Sequence, residues 1–588
     1  MTYPIVTNGI CRYSVVCAKT ADETVRYACN ELRRFLFECT GAAVPVLSDI
    51  CPYTRPELRI GPDVRDDPFY RTLDIAALGD EGFTIRTHGS DIYIIGGGSR
   101  GTLYGVYAFL ERFLGCRWFT PTVSRIPKRR ELILEDVDIT ERPAFESRDA
   151  YWGSAFDGTF CARNRLTSSK ALIANEQGGK LRWFNFHHAM YDLVPPGKYA
   201  QEHPEYYALV DGKRLTEHAQ LCLSNPDVVR IAAETLKGWI RANPDCTVFS
   251  VAQNDGSGYC TCDACRALDE AEGTPCASLL NFANQLADAV RGEFPHVLLH
   301  TFAYYYSVVP PKTLRPRENV IVRLCNISCD FGRPFTEGAR LDPKPYTREF
   351  IESLEKWGQI APRLYIWDYC TDFRCYLQPF PNLDALGENI RLYRDMGVRG
   401  VFMEGDFSHG CAAYMNELQV YLQARLMWNP DLDIKEETDV FLSGYYGNAA
   451  PYIRRFLDLT QAAVRDAYRD PAFRMTIYEW PDSAFIADAY VDEAERLMNM
   501  AAAAAEDDAV RYRVERTRLS VEFLKLTRMP TDTPMRSALI DAFGQKLRKY
   551  GVSEITERGW LDPSIEGLKK SRYARDIRDN YLWMYYRM

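Results

Sequence analysis

The residues whose types and spacing suit chemistry are the carboxylates, amides and rings that close apolar runs. "TVFSVAQND" (247–255) ends in Gln253, Asn254 and Asp255. "RLYIWDY" (363–369) ends in Trp367, Asp368 and Tyr369, and "GVFMEGD" (400–406) carries Glu404 and Asp406. "WFNFHH" (183–188) ends in His187 and His188. Two carboxylates facing each other across a crater suit glycoside hydrolysis. One protonates the leaving oxygen, while the other attacks the anomeric carbon, activates water, or yields that role to a substrate group. Asp255 and Glu404 form the obvious pair, with Asp368 third; each alone also fits a structural cap or a buried ion-pair partner.

Adjacent residues on a strand point to opposite faces, so His187 and His188 are poorly placed to share one metal. One is expected to line the crater and bond a sugar hydroxyl, the other to sit in the core. No HExxH-type zinc motif occurs. Cys260, Cys262 and Cys265 have CxCxxC spacing, and Cys276 follows eleven residues on. Four thiols can hold structural zinc, but the usual paired CxxC arrangement is missing. Packed free thiols or a loop-bracing disulfide are the competing readings, and thiol nucleophile chemistry lacks a matching Cys/His/Asn motif.

The elements that must position these groups follow from hydropathy. From residue 141, eight apolar runs (145–153, 183–188, 219–225, 247–255, 297–305, 319–325, 363–369 and 400–406) read as strands. Amphipathic helices such as "PDVVRIAAETLKGWIRANP" and "SLLNFANQLADAVRGEFP" lie between several of them. Strand–helix repeats of this kind predict a (β/α)8 TIM-type barrel over 141–430, with a doubly wound open sheet as the alternative. In such a barrel the strand C-termini share one crater, which gathers the polar strand ends. Trp152 and Tyr304, at the ends of two of these runs, join His187, His188, Gln253, Trp367, Asp368 and Tyr369 as expected sugar-binding residues.

Residues 1–140 alternate short strands and helices, predicting a small α/β domain with a hairpin across His88–Asp91. Its "GGGSRG" run lacks the lysine and Ser/Thr of a P-loop, so close helix–strand packing is its expected role. Residues 431–588 are helical in period and predict a helical C-terminal domain. A net charge of -9 without a basic block argues against nucleic acid or an anionic membrane as partner. No apolar stretch is long enough for a transmembrane helix. No secretory leader is visible at the N-terminus, so a cytoplasmic location with reduced cysteines is expected. Nothing in the sequence calls for a cofactor.

Some of these segments are familiar. "GGGSRGTLYGVYAFLERFLGCRWFTP" resembles the end of the α/β domain preceding the barrel in family 20 hexosaminidases and in α-glucuronidases. "HPEYYALVDGKR", "QLCLSNPDVV" and "QNDGSGYCTCDAC" resemble a bacterial family of formerly unknown function (DUF4838) linked to glycoside hydrolase family 163. That family contains endo-β-N-acetylglucosaminidases acting on complex N-glycans. The resemblance implies a retaining glycosidase for β-linked N-acetylhexosamine glycans, with substrate assistance by the 2-acetamido group as one route. It implies Asp255 as acid/base, Asn254 as the acetamido-orienting partner, and Trp367 and Tyr369 as walls of the acetamido pocket. Glu404 would bind distal hydroxyls or be catalytic itself. An α-glucuronidase would need a cation near the crater, for which Arg148 or Arg374 could serve. A non-catalytic glycan-binding barrel is the reading from outside enzymology.

Overall fold

The structure is a computed structural model and describes residues 1–570; the last eighteen residues of the expected helical domain lie outside the described residues. The chain forms two compact units that interleave in sequence. The first comprises Met1–Ala150, Ser154–Lys180 and Glu417–Ala450. The second comprises Tyr151–Gly153, Leu181–Asn416 and the chain from Pro451 onward.

The first unit holds a six-stranded mixed sheet. Its strands are β1 (Ser14–Cys17), β2 (Val46–Ser48), β3 (Glu57–Ile60), β4 (Phe83–His88), β5 (Asp91–Gly96) and β6 (Asp138–Glu141), in the order β6-β4-β5-β3-β1-β2. The expected hairpin is β4–β5, closing on the His88–Asp91 pair. Helix α1 (Glu23–Thr40) begins where the Asp22 side chain accepts the Val25 N–H and ends at left-handed Gly41. Helix α2 (Ser99–Phe109) follows the glycine run. A Cβ on Gly96 would come 2.0 Å from the Thr102 nitrogen, and one on Gly101 would come 2.3 Å from the Gly82 carbonyl oxygen. The run therefore serves close helix–strand approach.

The second unit is built on five consecutive parallel strands: β7 (Val248–Ser250), β8 (Leu298–Ala303), β9 (Val320–Cys325), β10 (Leu364–Tyr369) and β11 (Gly400–Glu404). Tyr151 continues the edge beyond β11, its carbonyl accepting the Gly405 N–H at 3.1 Å. Helices α3 (Pro226–Ala242), α4 (Asp263–Glu272), α5 (Cys276–Arg291), α6 (Tyr346–Ile360) and α7 (Leu383–Asp395) flank the strands. The α3 start follows its sequence signals: Asn225 accepts the Asp227 N–H, and Pro226 occupies the first turn.

The result is a parallel half-barrel, and two of the eight expected strands are not strands. Residues 183–188 run beside β7 with a single bridge, Trp183 to Val248. There the Asn185 side chain, in place of a main-chain carbonyl, accepts the Ser250 N–H at 2.7 Å. Residues 219–225 likewise make one bridge, Leu221 to Tyr207. A polar side chain that takes over the neighbour's backbone bonds ends the ladder that the apolar pattern predicts. Among the described residues the late region is mostly helical and adds a hairpin, β12 (Glu554–Thr556) and β13 (Gly559–Trp560), which the helical expectation missed. Among the described residues, no helix is long and apolar enough to cross a membrane.

Candidate active site

Side chains alternate along β10, so Tyr365, Trp367 and Tyr369 share one face and Asp368 takes the other. Trp367 pairs in register with Phe402, and Tyr369 with Glu404, which puts Glu404 on the Trp367 face. The Trp367 indole N–H donates to Glu404 Oε2 at 2.8 Å. Beneath the indole lies buried Arg323, its guanidinium 5.5 Å from the Trp367 ring and 4.5 Å from the Trp183 ring.

Glu404 is 9% exposed. Burial pushes its carboxyl up to about 8; the negative charges of Glu557 and Asp255 add to this, while the indole bond and Arg558 oppose it. Glu404 is thus a carboxylic acid at neutral pH. Asp255, on the loop beyond β7, is one-third exposed and accepts the Tyr304 hydroxyl at 3.3 Å. Nε2 of His188 stands 3.9 Å from the same Asp255 oxygen. Nδ1 of His188 faces the Gln253 carbonyl, which can only accept, so Nδ1 carries the proton. Burial lowers the His188 pKa against the opposing pull of Asp255, which keeps the ring neutral. A cavity of about 640 Å³ opens beside Asp255, with Tyr305, Tyr306, Tyr346 and Tyr478 in its walls, within the size range of sites for small organic ligands.

Several expected site residues are occupied elsewhere. Asn254 spends its amide on the backbone: Nδ2 donates to the Ala219 carbonyl at 2.9 Å, and Oδ1 accepts the Tyr191 N–H at 3.4 Å. It braces the loop, with one Nδ2 hydrogen left without a partner among these two bonds. Gln253 is fully buried and donates to the Tyr304 carbonyl and the Ser307 hydroxyl. Asp368 accepts from Asn326, from Tyr393 on α7 and from the Tyr369 N–H, on the helix side of the sheet. Asp406 accepts the Ser408 and Ala413 N–H groups and stays buried. Trp152 is fully buried, with its ring packed on Gly405. His187 is exposed and its Nδ1 faces the His188 carbonyl.

Both suggested arginines have partners of their own. In the first unit, Arg148 is buried and bonded to Glu81 at 2.7 Å and to the Arg165 carbonyl at 2.7 Å. Arg374 stacks on Trp480, 4.0 Å from the ring centre. Arg474 lines the cavity beside Asp255, and the charge of Arg558 also acts on the site. With Glu557, Arg558 forms the two-residue tip of the β12–β13 hairpin, where the Glu557 N–H donates to the Phe373 carbonyl. Arg558 adopts φ 55°, a left-handed conformation that is uncommon for a side-chain-bearing residue. Its charge acts on both Glu404 and His188. The only sequence signal for this tip is "EITERGW", an alternation too short to stand out beside long helices.

The four thiols expected as one group are also rearranged. Cys260, Cys262 and Cys265 come together with Cys222, all four sulfurs within 4.8 Å of one another. Cys276, at the start of α5, lies outside that group.

The model of the family described as a domain of unknown function (DUF4838) matches residues 118–458. The chain belongs to this family. Within this DUF4838 protein, residues 10–109 also match the family model for the glycosyl hydrolase family 67 N-terminus. No curated protein matches the chain. Among solved structures, it is similar to a family GH115 4-O-methyl-α-glucuronidase, BtGH115A, with specificity for decorated arabinogalactans. That likeness has a TM-score of 0.57 and 13% identity, over 96% of this chain and 80% of that one. The N-acetyl-β-hexosaminidase of Streptomyces plicatus aligns at TM-score 0.42 and 13% identity, over 75% of this chain and 91% of that one. At these identities the likeness to BtGH115A is one of fold.

Proposed function

We propose that this DUF4838 protein is a glycoside hydrolase in which Glu404 is the proton donor and Asp255 the anionic partner. The observation that carries this is the contrast between two carboxyls at the same strand ends. One is buried and protonated to about pH 8, and the other is partly exposed beside a large cavity. Environments that separate two carboxyls in this way divide the acid role from the anionic role. The Tyr304 hydroxyl positions Asp255, and the Trp367 indole positions Glu404. The fold shared with BtGH115A and the match to the family 67 N-terminus support a glycan substrate. The resemblance of "QNDGSGYCTCDAC" to family 163 supports β-linked N-acetylglucosamine as the sugar. Because the Asn254 amide braces the loop and carries no negative charge to orient an acetamido group, the reading favours Asp255 itself, as nucleophile or base, over assistance by the acetamido group.

A panel of N-glycans and aryl glycosides, with product anomers followed by NMR, tests this reading. Retention supports Asp255 as nucleophile, and inversion supports it as the base for water. Asp255→Asn is expected to lower kcat by at least about a hundredfold. Full activity in both Asp255→Asn and Glu404→Gln would sink the assignment.

A second reading has its own observation. Arg558 places a cation beside Glu404 and His188, where a uronate carboxylate would find a charge-assisted partner. On that reading, Arg558→Gln raises KM for uronides by roughly tenfold or more and leaves neutral glycosides unchanged, since a charged hydrogen bond is worth about 1.5–3 kcal/mol. Equal effects on both substrate types would rule it out.

A further inference from the structure

Beyond Asp255 the chain enters a lobe with an unusually small core. An antiparallel pair, Leu209–Val210 with Lys213–Arg214, turns through Asp211 and Gly212, both at positive φ. The loop bearing Cys260 and Cys262 lies against it: Thr261 N–H donates to the Leu209 carbonyl at 2.8 Å, and Cys222 N–H donates to the Tyr206 carbonyl at 2.8 Å. The buried members of the lobe's apolar cluster are Ala208, Ala219, Cys222, Cys260 and Cys265. Without the thiols, its fully buried members are two alanines, with only partly buried Leu209, Val210 and Leu215 packed against them. A core that small does not order a lobe unaided; natural lobes of this kind carry a disulfide or a metal.

The thiol geometry distinguishes between those two staples. Cys222, Cys260, Cys262 and Cys265 hold their sulfurs within 4.8 Å of one another, with Cys222 and Cys262 at 3.6 Å. A disulfide requires about 2.05 Å. A tetrahedron with Zn–S bonds of about 2.3 Å has edges of about 3.8 Å. Donors stand around the group as they do around metal thiolates. The Leu209 N–H donates to Cys260 Sγ at 3.3 Å, and Arg214 Nη1 lies 3.8 Å from the same sulfur. One zinc with four thiolates carries a net charge of -2, which the Arg214 guanidinium partly offsets. Cys262 caps the N-terminus of the ten-residue helix α4, and Cys265 lies in its first turn, where the helix dipole favours anionic sulfur.

We propose that Cys222, Cys260, Cys262 and Cys265 bind one zinc ion as a closed structural site that anchors the Asp255 loop. Four Zn–S bonds form as the four thiol protons leave to solvent. The closed ligand set leaves no position for water or substrate, so the ion has no part in the chemistry. Its influence on the site runs through Gln220, two residues before Cys222. That buried side chain accepts the Asn254 N–H at 2.8 Å and donates to the Asn254 and Gly256 carbonyls at 2.9 and 3.2 Å. The ion thus clamps both sides of the segment that carries Asp255. The proposal does not depend on the hydrolase reading, because its readout is metal content.

The test is elemental analysis of the reduced full-length protein after dialysis against a weak chelator. Wild type and Cys276→Ser are expected to hold about one zinc per chain, and Cys222→Ser and Cys260→Ser less than about a tenth of that. Cobalt substitution is expected to give the visible bands of a tetrahedral thiolate site. If the cysteine variants do not fold, wild-type stoichiometry and the cobalt spectrum decide alone. Folded, reduced wild type that holds no zinc and takes up no cobalt overturns the site. So does peptide mapping of unreduced protein that finds a disulfide between any two of these four cysteines. Zinc retained by Cys222→Ser but lost from Cys276→Ser overturns the ligand assignment.

Discussion

Replacing Glu404 by glutamine separates the acid role from mere sugar binding. The amide keeps an oxygen to accept the Trp367 indole N–H, so packing is preserved while the proton is lost. Removing a general acid costs roughly 10²–10⁴-fold in rate, about 3–5 kcal/mol of barrier. That loss applies where the leaving group needs protonation, and activated aryl glycosides should be cleaved at near wild-type rates. In wild type the rate should fall as pH rises through about 8, where Glu404 ionises. The glutamine variant should lack that alkaline limb.

Stability supplies an independent reading of the same group. The folded-state pKa is raised from 4.5 to about 8, so the stabilisation from the bound proton is complete below 4.5. It is lost progressively as pH rises to about 8. The slope is about 1.4 kcal/mol per pH unit, on the order of 5 kcal/mol in all and roughly 3 kcal/mol between pH 6 and 9. Denaturant unfolding at those two pH values should show that fall in wild type and not in Glu404→Gln. Equal loss of activity on activated and unactivated substrates, with an unchanged alkaline limb and the same pH slope of stability in both proteins, would refute the argument.

Two further outcomes follow from the packing around the site. Trp367→Phe removes the hydrogen bond that lowers the Glu404 pKa, so its pH–rate profile should keep an alkaline limb displaced upward, with about 1 kcal/mol lost in urea unfolding. An unmoved limb would separate the indole from Glu404. In Gly405→Ala, the new Cβ would fall 2.0 Å from the ring of Trp152, and overpacking of this kind costs about 1–3 kcal/mol or more. A thermal midpoint within a degree of wild type would show that the Trp152 ring can give way.

Much of the scaffold was legible because it rests on local periodicity. The run "RLYIWDY" alternates, so Trp367 and Asp368 had to face opposite sides, and Trp367 shares its face with Glu404 through strand register. The helices α3, α5, α6 and α7 followed from apolar spacing, and α3 also from its capping Asn225. The eight-strand expectation failed at 183–188 and 219–225, where the apolar pattern of a strand is present. There Asn185 and Gln220 take backbone hydrogen bonds through their side chains, a choice that depends on what lies alongside.

Taken alone, the sequence determined which side chains end the parallel strands, which glycines admit a helix against a sheet, and that three cysteines crowd one loop. Tertiary structure decided the rest. It engaged Asn254 and Asp368 in hydrogen bonds with partners 35 and 42 residues away. It supplied Cys222 to Cys262 across 40 residues, and brought Glu557 and Arg558 beside Asp255 and Glu404. The physical reason is that burial and partnership set what a polar side chain can do, and both are properties of the surrounding space, whereas local spacing sets only the direction in which it starts.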